Sequence, residues 1–306
     1  MNRTWDVVIV GGGPAGLSAG YWLARYRRRT MVLDDARPRN ERAWAVHGYP
    51  GLKDLRPGDL RRRLQDQAIE AGALIQRRRV VAIGGERGSF QVEDSSAEMV
   101  IARRVVLAYG RTDRLPDVKG LHELYGTSVF HCPDCDGPSV ADCQVGVLGH
   151  DRHAAALALY LLTWAGGVLL LTSGLEPDLS PTSLETLDRY DIGIETAPVL
   201  ELEGQEGSLQ RIVLADGRRL GLDALFFHWG SDPAAELARD SGCRLLPTGD
   251  VVADPATLET SVRGIYAAGD IVGRPYLAIS AAAEGVRAAL SIHRSLLPDD
   301  FQLGTH

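Results

Sequence analysis

The chain runs to 306 residues, long enough for two domains of ordinary size. With 45% hydrophobic and 24% charged residues, it is excluded from the disordered and fibrous classes and reads as globular. The formal charge of -7 favours solubility and argues against a nucleic-acid polyanion as the main partner.

In chain order, Asp6 to Val10 is a short apolar strand pattern. Gly11-Gly12-Gly13-Pro14-Ala15-Gly16 follows, then a helical run from Leu17 to Tyr26. Thr30 to Leu33 is a second strand that ends at Asp34-Asp35. A Gly-x-Gly-x-x-Gly turn between strand and helix, with an acid about 20 residues further on, is the fingerprint of a dinucleotide-binding βαβ unit. Gly11 allows the tight turn, Gly13 lets backbone approach a pyrophosphate, and Gly16 lets helix pack on strand. The helix N-terminus adds partial positive charge. Asp34 is the candidate acceptor for ribose hydroxyls, with Asp35 as the alternative.

Asn40 to Pro57 reads as a loop and Gly58 to Ala71 as a helix. Val80 to Ile83, Ser89 to Glu93 and Met99 to Ala102 read as short antiparallel strands, and Arg103 to Ala108 as a separate strand ending at Tyr109-Gly110. Leu115-Pro116 reads as the crossover out of the first domain. A second βαβ unit comprises a strand at Gln144 to Leu148, a helix at Ala154 to Trp164 and a strand at Val168 to Thr172. Asp216-Gly217 marks a hairpin, Gly264 to Asp270 a strand ending in Gly-Asp, and Ile279 to Ser295 a last helix. The expected fold is α/β: two Rossmann-like, three-layer ββα nucleotide-binding domains, the second inserted in the first. Expected boundaries are 1-116 with 246-306 for the outer domain and 117-245 for the inserted one.

The runs Arg61 to Arg63 and Arg77 to Arg79 adjoin periodic apolar segments and read as solvated element ends. Met1 to Val10 is too short an apolar stretch for a signal peptide. Ala154 to Leu171 approaches membrane length, but Gly166-Gly167 splits it. The expectation is a cytoplasmic chain with no membrane partner. In that reducing compartment a Cys-x-x-Cys is more often redox-active or metal-binding than structural.

Cys132-Pro133-Asp134-Cys135 is such a pair. A structural zinc site needs about four ligands. The other cysteines are Cys143 and Cys243, with no second Cys-x-x-Cys, so no metal site is expected. Histidine changes charge near neutrality, which makes His131 a candidate for moving protons beside Cys132.

Together these elements resemble the low-molecular-weight thioredoxin reductase family over nearly the whole chain. Gly11 to Gly16 matches its FAD pyrophosphate turn, which implies FAD contacts from Gly11, Gly13, Pro14, Ala15 and Gly16. Ala108-Tyr109-Gly110 matches its Ala-Thr-Gly, with Tyr for Thr, and implies contacts from Ala108 and Gly110. Thr260 to Asp270 matches its second FAD motif and brings in Gly269 and Asp270, the latter at the ribityl chain. The resemblance adds Ala278 and Ile279, and puts a helix N-terminus at Ala281 to Gly285 under the flavin ring.

Phe130 to Gly137 matches the family's redox motif, including Asp136-Gly137. The resemblance implies Cys135 beside the flavin, Cys132 as the interchange thiol, and Asp136 as proton donor and acceptor for the leaving thiolate. His131 is the alternative for that role. A helix N-terminus after the motif would lower the thiol pKa values. Arg37 to Asn40 with His47-Gly48 and Pro50-Gly51 is more similar to a side branch that includes dithiol oxidases and members without NADPH use, and adds Asn40 and His47 to the FAD contacts. The family is usually homodimeric.

The chain departs from that pattern at its second glycine turn. Gly149-His150-Asp151-Arg152-His153-Ala154 has Asp151 at the family's middle glycine. Thr172 to Glu176 lacks the His-Arg-Arg cluster that reads the 2′-phosphate of NADPH. The expectation is inefficient use of NADPH. Electrons would enter from a ferredoxin-type donor, or from a substrate dithiol with oxygen as acceptor. Expected partners are thioredoxin or another small redox protein, or a small-molecule dithiol. A flavin-bearing sensor that does not turn over is the reading from another class, and the intact Cys-x-x-Cys-Asp-Gly argues against it. The tail from Pro298 to His306 is a candidate cover for the flavin.

Overall fold

The computed structural model describes residues 4-53, 55-273 and 275-301. Contacts divide the chain into two units. The first is Met1–Glu41, Leu55–Thr112 and Ser231–His306; the second is Arg42–Asp54 and Asp113–Gly230.

The first unit begins with β1 (Trp5–Val10), α1 (Pro14–Arg25), β2 (Thr30–Asp34), α2 (Pro57–Glu70), β3 (Leu74–Arg77), β4 (Val80–Glu86), β5 (Ser89–Asp94) and β6 (Met99–Leu107). After β7 (Thr112–Asp113) the second unit holds α3 (Leu121–Leu124), β8 (Val129–Phe130), α4 (Pro133–Asp136), β9 (Gln144–Leu148) and α5 (Arg152–Leu161). It continues through β10 (Gly167–Leu171), α6 (Pro181–Arg189), β11 (Gly193–Glu195), β12 (Val199–Gln205), β13 (Ser208–Leu214), β14 (Arg219–Leu220) and β15 (Ala224–Phe227). The chain returns to the first unit with β16 (Ser231–Asp232), α7 (Glu236–Asp240), β17 (Ile265–Ala267) and α8 (Ala278–Ser295).

The first unit's sheet has the order β3-β2-β1-β6-β5-β4, with β17 also on β6. Side chains alternate between its faces. Val7 and Ile9 pack with Leu23 of α1 and with Ala288 and Ile292 of α8. Val8 and Val10 pack with Ile83, Phe90 and Val92 of the β4–β5 arm, and with Ala238 and Cys243. A strand buried on both faces reads as a continuous apolar run, which is the Val7 to Val10 signal. The second unit repeats the plan. Val145 and Val147 of β9 pack with Ala154, Ala158 and Leu161 of α5. Leu148, Leu225 and Phe227 pack with Leu202, Leu209 and Ile212 of the antiparallel β12–β14 sheet. This is the expected α/β arrangement of two three-layer, Rossmann-like units.

The expected boundary at 245 and the observed crossing at 230/231 differ because Ala238 and Cys243 are buried in the first unit's core. Residues 42-54 contribute to the second unit, although the boundary expectation put them in the first. Met99 to Leu107 is one strand and not two. Its first half pairs with β5 antiparallel and its second half with β17 in parallel, so one edge of the strand serves two neighbours in turn while β1 lines the other. The apolar stretch from Ala154 is divided into α5 and β10, and among the described residues no helix is long and apolar enough to cross a membrane. Of the tail, residues 302-306 lie outside the described residues, and Phe301 is exposed.

Helix α8 approaches α1 closely because both present small residues. A Cβ on Gly285 would overlap the carbonyl oxygen of Ala15, near the end of the first glycine turn. Overpacking of this kind costs about 1–3 kcal/mol. Gly285→Val is therefore expected to lower the thermal unfolding midpoint and to release flavin early, read as flavin fluorescence in a melt. An unchanged midpoint would refute this close approach.

Candidate functional site

The first glycine turn is built as a cradle. Gly11 has φ 108°, and a Cβ there would overlap the Ala108 carbonyl, so the Ala108-Tyr109-Gly110 segment lies directly against it. A Cβ on Gly16 would overlap the Gly11 carbonyl, which keeps α1 tight on β1. Gly13 is different: a Cβ there would meet nothing within 4 Å. Gly13 is also the N-cap of α1 and, having no side chain, supplies no cap. Pro14 occupies the first turn, where its missing N–H costs nothing. The turn thus presents uncapped N–H groups to open space, the setting in which a helix N-terminus binds a phosphate.

Of the two acids at the end of β2, Asp34 faces the turn. It is buried and accepts from the Gly12 N–H at 3.0 Å. Asp35 is exposed and accepts from the Arg37 N–H at 3.3 Å. Asp34 also pairs with Arg61, so one member of the first arginine run is a structural partner and not a solvated end. Arg78 of the second run pairs with Asp94 at 3.0 Å, and also with Glu98.

The Gly-Asp motif sits at the end of β17. Gly269 has φ 84°, and its N–H donates to Glu284 of α8 at 2.6 Å. The Asp270 carboxylate takes an ion pair from Arg39 at 2.8 Å, and the Arg39 guanidinium lies 5.1 Å from the centre of the Tyr276 ring. Sequence reasoning missed Arg39, Tyr276 and Glu284. Helix α8 starts at Ala278, one residue ahead of the Ile279 read from the pattern and three ahead of the Ala281 that the resemblance implied, with no side-chain cap. Asn40 is partly exposed in the loop after β2.

The second glycine turn is built in the opposite way. Asp151 is the N-cap of α5, and its carboxylate accepts from the N–H groups of His153 and Ala154, both at 3.0 Å. Those two bonds hold its pKa below the ordinary value despite partial burial. Arg152 is turned to His153 at 3.4 Å, and His153 lies against His228 with ring centres 5.1 Å apart. After β10, the Thr172 hydroxyl donates to the Leu175 carbonyl at 2.6 Å, closing that turn on itself.

Cys132 and Cys135 form a disulfide with their Cα atoms 5.3 Å apart. They sit on the single turn of α4, where the Cys135 N–H lies 3.1 Å from the Cys132 sulfur. A 3₁₀ turn at Gly137–Val140 follows the motif. The glycine of Asp136-Gly137 has a packing cause, since a Cβ would run into the Trp164 ring. Asp134, between the sulfurs, accepts from the Tyr160 hydroxyl at 2.8 Å.

Two acid–base clusters adjoin this turn. His131 Nδ1 lies 2.9 Å from the Tyr125 hydroxyl, which donates to Asp113 at 3.0 Å. Asp136 Oδ1 lies 3.2 Å from His47 Nδ1. Burial pushes the Asp136 carboxyl up to about 6, and His47 pulls the other way. His47, which the resemblance grouped with the FAD contacts, packs with the second unit. Asp113, Tyr125 and the His47–Asp136 pairing carry no local motif, and no sequence signal would have found them. Cys143 and Cys243 are free.

The family model described as pyridine nucleotide-disulphide oxidoreductase matches residues 5–285. The chain belongs to that family. It is 29% identical over 299 residues to the thioredoxin reductase of Treponema pallidum (strain Nichols), covering 94% of this chain and 96% of the relative. The solved structure of HlmI matches with a TM-score of 0.91 and 30% identity, covering 97% of this chain and 94% of the other. An oxidoreductase from Agrobacterium tumefaciens matches with a TM-score of 0.86 and 32% identity, covering 96% and 99%.

A member of this family with these relatives is a flavin-dependent oxidoreductase of the thioredoxin reductase type that acts on sulfur groups, with FAD as its cofactor. The first glycine turn fits such a cofactor, with open space at Gly13, uncapped N–H groups on α1 and a buried carboxylate at Asp34. When bound, FAD supplies two-electron redox chemistry at its ring.

Proposed function

We propose that this enzyme moves an electron pair between its FAD and an external thiol–disulfide couple by way of Cys132 and Cys135, without NADPH as the efficient electron source. Gly11, Gly13, Pro14, Ala15 and Gly16 hold the pyrophosphate, Asp34 takes the ribose hydroxyls, and Asp270 meets the ribityl chain. Cys132 exchanges with the external sulfur. Asp136 handles the proton of the leaving thiolate, and His131 is held beside Cys132 by Tyr125. The external partner is thioredoxin or another small redox protein, and a homodimer is the expected assembly.

One observation carries the NADPH part. The N-terminus of α5, where a dinucleotide phosphate would lie, is already occupied by the chain's own Asp151 carboxylate. A phosphate there would have to displace two charge-assisted hydrogen bonds and would meet a negative charge. The turn from Thr172 to Glu176 offers no basic side chain for a 2′-phosphate. A ferredoxin-type protein donor is the proposed route of entry. Oxidation of a small-molecule dithiol, with oxygen as final acceptor, is the alternative direction of flow.

Anaerobic titration of the flavin absorbance tests this. NADPH, NADH, reduced ferredoxin and a small dithiol are compared as reductants. Ferredoxin is expected to bleach the flavin rapidly, and both dinucleotides slowly. Bleaching by dithiol alone, with fast recovery in air, selects the oxidase direction. Rapid bleaching by NADPH overturns the proposal.

A further inference from the structure

Residues 42-53 pack in the second unit, and specific contacts fasten the start of the segment there. The Arg42 guanidinium donates to the His122 carbonyl at 2.7 Å. The Trp44 N–H donates to the Gly126 carbonyl at 3.2 Å. Gly126, at φ 87°, lies so close to the Arg42 carbonyl that a Cβ would overlap it. This anchoring brings His47 onto Asp136 across 89 positions, with the two side chains 18% and 16% exposed. The edge of Trp44 meets the His47 ring at 5.1 Å between centres. The Asp136 N–H donates to the Cys132 carbonyl at 3.1 Å, so the carboxyl is carried by the same turn as both sulfurs.

We propose that His47 is the positioning partner of Asp136 in thiol–disulfide exchange at Cys132–Cys135, orienting the carboxyl and keeping it able both to give and to take a proton. This rests on the reading of Cys132 and Cys135 as a working redox couple. In the step concerned, an external thiolate attacks the Cys132 sulfur and forms a new disulfide bond. The Cys132–Cys135 bond breaks, and Cys135 leaves as a thiolate that takes one proton from Asp136. A second external thiol, giving its proton back to Asp136, then releases Cys132. The external dithiol is oxidised by two electrons and the protein disulfide is reduced by two; one proton ends on Cys135, the second external thiol's proton restores Asp136, and Cys132 leaves as a thiolate.

The neighbouring ionisable groups are engaged elsewhere. Asp134 is turned to Tyr160 of α5, and His131 to Tyr125 and Asp113. Among the described residues, His47 is the ionisable group that faces the Asp136 carboxyl. Burial alone would push a carboxyl up and lock its proton in place; the His47 contact opposes that push and leaves the group near the range where it can act both ways.

The test uses the oxidised holoprotein and dithiothreitol without oxygen. Opened disulfide is trapped by alkylation and quantified by mass. Rate constants per dithiothreitol thiolate are measured from about pH 5 to about pH 8, the span in which a raised carboxyl and a histidine titrate. In the wild type the normalised rate is expected to fall as pH rises through a midpoint of about 6. His47→Gln removes the group that lowers the carboxyl, so the midpoint moves up by roughly one pH unit. Asp136→Asn removes the inflection, and the double variant behaves as Asp136→Asn alone because the pair acts as one unit. A His47→Gln profile that superimposes on the wild type overturns the proposal, and so does a flat wild-type profile. If circular dichroism shows that His47→Gln does not fold, His47→Asn takes its place, and the wild-type profile decides without any variant. A disulfide that dithiothreitol cannot open in the wild type would remove the redox-couple reading, and this inference with it.

Discussion

Replacing either Cys132 or Cys135 by Ser is expected to abolish disulfide turnover while leaving FAD bound at the wild-type ratio. A serine hydroxyl at either position can neither form the Cys132–Cys135 bond nor serve as a thiolate in exchange. Residues that act as a unit lose nearly everything when one member is removed, so each variant should fall by at least about a thousandfold, and the double variant little further. Flavin retention follows from location. The glycine turn, Asp34 and the Gly269-Asp270 motif belong to the first unit, and the two cysteines to the second. Activity with a disulfide substrate and the flavin absorbance ratio are the two measurements. Loss of FAD in both variants would refute this division of labour.

Asp151→Gly is expected to leave NADPH a poor reductant. The change restores the glycine pattern and removes the carboxylate from the head of α5. Gly in place of Asp at an N-cap costs only a few tenths of a kcal/mol, so the helix should persist. One obstacle is then gone, and the missing basic cluster remains. Charge-assisted contacts are worth about 1.5–3 kcal/mol each, roughly tenfold to a hundredfold in affinity apiece. The variant should therefore gain modestly, and equally for NADH and NADPH, because nothing in Thr172 to Glu176 distinguishes a 2′-phosphate. Anaerobic bleaching rates for the two dinucleotides check both points. A large gain specific to NADPH would mean that Asp151 alone closes the site.

Much of this protein was legible in its sequence. The turn from Gly11 to Gly16 could be read because each glycine answers a local steric demand: a positive φ at Gly11, open space at Gly13 and close packing at Gly16. Burial of both sheet faces wrote β1 as an unbroken apolar run. Within the arginine runs, the partners of Arg61 and Arg78 could not be read, because pairing with Asp34 and Asp94 depends on which elements lie side by side. Met99 to Leu107 was divided into two because one strand's two successive neighbours cannot be read from its own pattern.

By itself the sequence determined the elements whose cause is local: the glycine turns, the Cys-x-x-Cys spacing that lets two sulfurs meet on one helical turn, and the acid at Asp151 where a glycine was expected. Tertiary structure decided what those residues face. It turned Asp151 from a residue that merely repels phosphate into a cap that already fills the helix end. It aimed the Asp34 carboxylate at the Gly12 N–H and left Asp35 exposed. It brought His47 to the Asp136 carboxyl, 89 positions away. Backbone sterics and helical spacing act within a few residues and leave a sequence pattern. Partners that meet only after the chain has packed leave none, because any histidine in that loop looks alike until the fold places it.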